Sequence, residues 1–187
     1  MEYRAISLHQ PWASLVALGI KKYETRSWST KFRGRLLICS AKKAYTSDST
    51  IDGLLVSNRT NDICQLSGLG LFHEITLDFL DCHLPLGKVL CVVDLVNCWE
   101  MKSYPKHGKY YNSRNEGIVT LHPGREIMIE TVPELEQLCG DWQTGRYAWE
   151  LANLMPLPEP IPIKGKQGLW IPDSTIIQEV EKQLSIG

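Results

Sequence analysis

Apolar residues in this chain gather in short runs, separated by polar residues and turn-forming glycines and prolines. Two of the longest, Leu36-Leu37-Ile38-Cys39 and Val89-Leu90-Cys91-Val92-Val93, have the length and composition of buried strands. Both fall far short of the ~20 apolar residues of a membrane-spanning helix. Strands this short, broken by turns at this density, favour a mainly β chain with peripheral helices (α+β), built as a small β-barrel. At 187 residues the chain has the size of one domain. That domain is expected to run over 1–187, with insertions at about 46–86 and 101–132.

The order of elements follows from local punctuation. Tyr3–Ser7 reads as a first strand. Pro11 opens a short helix because its missing N–H would have no helical partner there. Trp12, Leu15, Val16 and Leu18 give that helix an apolar face, and Gly19 ends it in a left-handed conformation. Further strands are expected at Lys22–Trp28, Gly34–Ala41, Lys88–Glu100, Gly145–Leu151 and Gly165–Ile171, with the proline-rich stretch 156–162 separating the last two. Ser47-Asp48-Ser49-Thr50 offers a cap to a helix through Ile51–Val56, residues 101–126 read as loop, and a short helix starts at Pro133. Pro172-Asp173-Ser174 caps a last helix with Ile176, Ile177, Val180 and Leu184 on one face.

Composition excludes several classes. Apolar residues at 43% and charged residues at 22% are globular values, not those of a disordered chain. Met1 leads into Glu2-Tyr3-Arg4 with no apolar stretch behind it, so no signal peptide is read. The six cysteines (39, 64, 82, 91, 98 and 139) form no C-x-x-C and no metal-ligand pattern with the histidines. They read as small buried hydrophobes kept reduced in the cytoplasm. No metal, cofactor or membrane contact is expected, and the zinc-deaminase signature is missing.

A net charge of −1 hides an asymmetry: residues 1–50 hold nine Lys/Arg against three Asp/Glu, so the remaining chain is acidic. A basic patch on a near-neutral chain suits a local polyanion contact, or else a solvated face with no ligand. The dense region runs from Ser7 to Lys43. Its helix projects Gln10 and Trp12 from a first turn whose free N–H groups favour anions. Beyond the reversal at Gly19, period two puts Glu24, Arg26 and Trp28 on one strand face, with Lys21 just before them. An aromatic ring, a guanidinium and a carboxylate on one face can stack a base, hold a phosphate and accept from an exocyclic amine. Each residue also has a plainer reading: Trp12 as packing, Lys21 and Glu24 as an ion pair, Arg26 as a structural tie.

Three segments carry a family resemblance: S-L-H-Q-P-W-A-S-L at Ser7–Leu15, G-x-K-x-x-E-x-R-x-W at Gly19–Trp28, and R-G-R-L-x-I with A-K-K across Arg33–Lys43. With Pro160–Trp170 (P-I-P-I-K-G-K-Q-G-L-W), they resemble the activating signal cointegrator homology (ASCH) domain, a family of the PUA-like superfamily. The resemblance implies a PUA-like small β-barrel that binds RNA or another nucleic acid in a cleft between the first helix and the barrel. It suggests a transcription coactivator-like or RNA-processing role, with protein partners left open. The candidate binding residues are Ser7, Gln10, Trp12, Lys21, Glu24, Arg26, Ser40, Lys42, Lys43 and Lys164.

A rival implied by the same resemblance is a small amidohydrolase acting on a modified nucleoside such as acetylcytidine, with Lys21 and Glu24 as catalytic pair. Lys21 matches the lysine of such relatives, but Glu24 stands where they carry a threonine, and Thr25 is one residue too far along. A weaker signal is Lys102–Arg114, KSYPKHGKYYNSR, whose basic residues and tyrosines suit single-stranded RNA.

Overall fold

The computed structural model describes residues 2–42, 84–103, 126–133, 136–137 and 139–186. Seven strands form one sheet: β1 (Tyr3–Leu8), β2 (Tyr23–Arg26), β3 (Gly34–Ser40), β4 (Lys88–Lys102), β5 (Glu126–Met128), β6 (Tyr147–Pro162) and β7 (Leu169–Trp170). Their order is β2-β6-β4-β3-β1-β7, and β5 adds to β4 off this path. The sheet curls into a half-barrel, and among the described residues two α-helices, α1 (Trp12–Ala17) and α2 (Ser174–Ile186), accompany it. The mainly β architecture with peripheral helices expected from the turn-broken apolar runs is the one the chain adopts.

Strands β4 and β6 form the spine, and their antiparallel ladder shifts register three times, between Val89/Cys91, Val92/Asp94 and Leu95/Asn97. Each bulge adds local twist, which bends a long ribbon instead of letting it lie flat. The pleat sends alternate residues to opposite cores. Leu36 and Ile38 join Ile6, Leu8, Ala13, Val16 and Trp149 on the α1 side. Leu37 and Cys39 join Tyr3, Ala5, Val92, Leu157 and Val180 on the α2 side. Ile176, Ile177 and Leu184 pack against that second core, as the apolar stripe of the last helix requires.

Two expectations need correction. The proline-rich stretch 156–162 does not separate strands; it is the second half of β6. Proline lacks the ladder donor, but here Cys91 pairs Pro156 while Val89 pairs Ile161, so Pro158 and Pro160 sit in a bulge. The opposite edge of β6 pairs β2 only over Tyr147–Glu150, so no second ladder claims those missing donors. The other correction concerns length: Gly165–Ile171 shrinks to the two residues of β7, and Lys22–Trp28 to the four of β2. The helix through Ile51–Val56 lies outside the described residues, as does the Lys102–Arg114 segment past Ser103. After Pro133, residues 136 and 137 are helical, with Gln137 N–H donating to the Pro133 carbonyl at 3.0 Å.

Candidate functional site

A cleft of about 820 Å³ opens where the end of β1, the start of α1, β2, the end of β3 and the β6–β7 loop converge. Ser7, His9 and Trp12 come from the first wall, Glu24 and Arg26 from β2, and Lys42 from the chain just past β3. The facing wall is the β6–β7 loop, with Lys164, Lys166 and Gln167. Four cationic side chains therefore surround one carboxylate. Neither Lys42 nor Lys164 has an ion-pair partner among the described residues, whereas Lys166 Nζ lies 5.4 Å from the Trp170 ring centroid.

Local geometry explains how these groups meet. Gly19 takes φ +74°, a left-handed turn that suits glycine, and sends the chain back from α1 into β2. In β2, Glu24 and Arg26 share a face, and Arg26 Nε stands 2.9 Å from Glu24 Oε1. The N–H is not aimed along that line and Nε has no hydrogen-bond acceptor, so the contact is electrostatic. Opposite, Gly165 approaches β1 so closely that a β-carbon there would lie 2.5 Å from Ser7 Oγ. Ser7 Oγ is itself buried and lacks a hydrogen-bond partner among the described residues.

The structure does not bring every sequence candidate into this cleft. Lys21 is 2% exposed; its Nζ donates to the Cys139 carbonyl at 2.8 Å and lies 3.5 Å from Glu24 Oε2. It therefore stands behind Glu24 and does not line the cleft. Gln10 is buried too, donating to the Pro85 carbonyl at 2.8 Å and accepting from Ser14 N–H at 3.1 Å. Ser40 is fully buried, and its hydroxyl joins β3 to β4 through the N–H and carbonyl of Lys88. Lys43 lies outside the described residues. The strand ends before Trp28, whose ring meets Trp149 edge-on at 4.6 Å. The first turn of α1 is less open to anions than its sequence suggests. Ala13, Ser14 and Leu15 give their N–H groups to the His9 carbonyl, the Gln10 side chain and the Pro11 carbonyl.

His9 and Lys166 line the cleft without having been singled out. For Lys166 a signal existed: it sits between Gly165 and Gly168, glycines that mark a close backbone approach. His9 lies inside the S-L-H-Q-P-W-A-S-L segment, but a lone histidine before a helix has no chemical pattern of its own to single it out.

Behind the cleft, residues 136–142 brace β2. Glu136 is buried and accepts from the N–H groups of Lys22 and Tyr23, at 2.5 and 3.3 Å. Burial pushes its carboxyl above the ordinary range, although both backbone donors and Lys21 pull the other way. Asp141 N–H donates to Thr25 Oγ1 at 2.9 Å. The four described cysteines are free and buried; desolvation pushes the Cys39 and Cys91 thiols up to about 12 and Cys139 to about 11. Among the described residues no metal-ligand group of three or more His, Cys, Asp or Glu gathers. No helix there is long and apolar enough to cross a membrane.

A half-barrel whose cleft is lined by four cationic side chains and the Trp12 indole defines a small, mainly β module. The sequence model of the ASCH domain matches residues 6–158, and the chain belongs to the ASCH domain family. It is 29% identical, over 96% of its length, to activating signal cointegrator 1 of mouse and of human. It spans only 24% of the length of either. Crystal structures of the ASCH protein of Zymomonas mobilis and of a tyrosine-to-phenylalanine mutant match over 97% of this chain and 94% and 98% of theirs. Identity there is 14% and the TM-score 0.46.

Proposed function

We propose that the chain is a nucleic-acid-binding module, with RNA as its ligand, and that a strand enters the cleft between α1 and the sheet. The observation that carries this reading is the convergence of Lys42, Lys164 and Lys166 with the Trp12 indole around one opening. Lysines near a polyanion release its counterions, and an indole at the same mouth gives an unstacked base a platform. Kinship with a cointegrator supports a coactivator-like or RNA-processing setting. Cysteines held as buried thiols support a cytoplasmic one.

Labelled single-stranded and hairpin RNA titrated with wild type and with Lys42→Ala/Lys164→Ala provide the test. At low salt the double variant should bind about tenfold more weakly or worse, as expected for two lost charge-assisted contacts. Equal affinities would reject the cleft. The amidohydrolase reading has less support, because the amine of Lys21 is committed to the Cys139 carbonyl and does not line the cleft.

A further inference from the structure

Glu24 is the one carboxylate among the cleft-lining side chains, and its placement constrains what the cleft accepts. Arg26 Nε faces Oε1 at 2.9 Å and Lys21 Nζ faces Oε2 at 3.5 Å, one cation on each oxygen. A carboxylate has about four lone-pair sites, so each oxygen keeps capacity for one more donor. The side chain is only 9% exposed, and that exposure opens on the cleft. A ligand that presents two adjacent donors to this pair of acceptors fills the capacity that the two cations leave open.

The four bases differ in this respect. Cytosine and adenine place an amino group beside a bare ring nitrogen, whose lone pair would face the second carboxylate oxygen. Uracil places a single N–H between two carbonyls. Guanine alone offers two neighbouring donors, N1–H and the N2 amino group, on its Watson–Crick edge. That edge is reachable when the base is unpaired, the usual state in which proteins read RNA sequence. Trp12 lines the same cleft and supplies a stacking face, while the surrounding lysines suit flanking phosphates. The volume of about 820 Å³ lies within the range that accommodates a ligand of nucleotide size.

We propose that the cleft selects an unpaired guanine nucleotide, with Glu24 accepting from N1–H and the N2 amino group. Lys21 then acts as a positioning residue, fixing Glu24 from behind without touching the ligand. This rests on the nucleic-acid reading above. An arginine side chain carries similar paired donors, but four cations around the opening oppose a cationic peptide.

The test uses the whole chain and fluorescently labelled oligouridine strands about ten nucleotides long, each with one central guanosine, inosine, adenosine or uridine. Inosine keeps N1–H and lacks the N2 amino group, so it probes one donor without altering the protein. Guanosine should bind roughly tenfold more tightly than inosine, the difference expected of one hydrogen bond to a charged acceptor, and at least as much more tightly than the other two. In Glu24→Gln the guanosine-to-inosine ratio should fall to within about twofold. Binding that ignores the central base overturns guanine selection and leaves nucleic-acid binding intact; no binding by any strand overturns both. GMP binding as tightly as the guanosine strand would sustain guanine recognition and overturn the strand reading. Displacement of the guanosine strand by an arginine peptide would overturn the assignment.

Discussion

Replacing Lys42 with alanine removes one of three lysines that line the cleft, and the expected consequence is a change in salt dependence as well as in affinity. Lys42, Lys164 and Lys166 are counted as phosphate contacts; Arg26 is left out because its guanidinium already faces Glu24. For a single strand each neutralised phosphate contributes about 0.7 to the slope of log affinity against log salt, giving about −2.1 for wild type. Between roughly 50 and 200 mM salt, that is a loss of about 20-fold. Lys42→Ala should flatten the slope to about −1.4 and reduce the loss to about sevenfold. Fluorescence anisotropy titrations of one unstructured oligonucleotide at four or more salt concentrations give both slopes. A wild-type slope shallower than about −0.7, or an unchanged slope in Lys42→Ala, would refute this account of the cleft lysines.

Three further outcomes follow from the surroundings of the cleft. Lys21→Met leaves the Cys139 carbonyl without its side-chain donor and Glu24 with one cation, so stability should fall by about 3 kcal/mol or more. For a chain of this size that lowers Tm by roughly 6–12 °C, and a drop below about 2 °C would contradict it. For Glu136, burial raises the folded-state pKa above its unfolded value. The folded chain thus holds that proton more tightly; the associated stability is full below the ordinary carboxylate value and is lost as pH rises through the folded one. Glu136→Gln does not titrate there, so wild type should lose stability relative to it in urea titrations as pH rises above the ordinary carboxylate range; a constant gap would contradict this. Gly165→Ala forces the β6–β7 loop off Ser7 and should cost about 1–3 kcal/mol. Adding Ser7→Gly should recover part of that loss, a coupling readable in a double-mutant cycle.

What could be read from the sequence followed from periodicity and punctuation. The runs at Leu36–Cys39 and Val89–Val93 sit between two cores, so both faces are apolar and the strands announce themselves. Gly19 announced the reversal that brings β2 beside α1. The second half of β6 stayed hidden, because proline signals a break unless the bulge opposite Leu90 is already known. In the site, Trp12, Glu24, Arg26, Lys42 and Lys164 were found through local pattern and family likeness. Lys21, Gln10 and Ser40 come from the same dense region, yet each is tied inward by a partner distant in sequence: Cys139, Pro85 and Lys88. Sequence spacing shows which residues neighbour one another on an element, but not which of them a remote carbonyl will claim.

The junction of β3 and β4 has a consequence for how this chain tolerates change. Ser40 bonds Lys88 through its hydroxyl, and Gly87 N–H reaches the Ala41 carbonyl at 3.3 Å, so the chain leaves and re-enters the sheet at nearly one point. The connection from Lys42 to Pro85 therefore starts and ends at one closed end of the ladder. Doubling such an excursion costs only about 0.6 kcal/mol in closure entropy, and shortening it to a tight turn leaves the ladder's endpoints where they are. The bonds at this junction, and not the number of residues between its two ends, set where β3 and β4 meet.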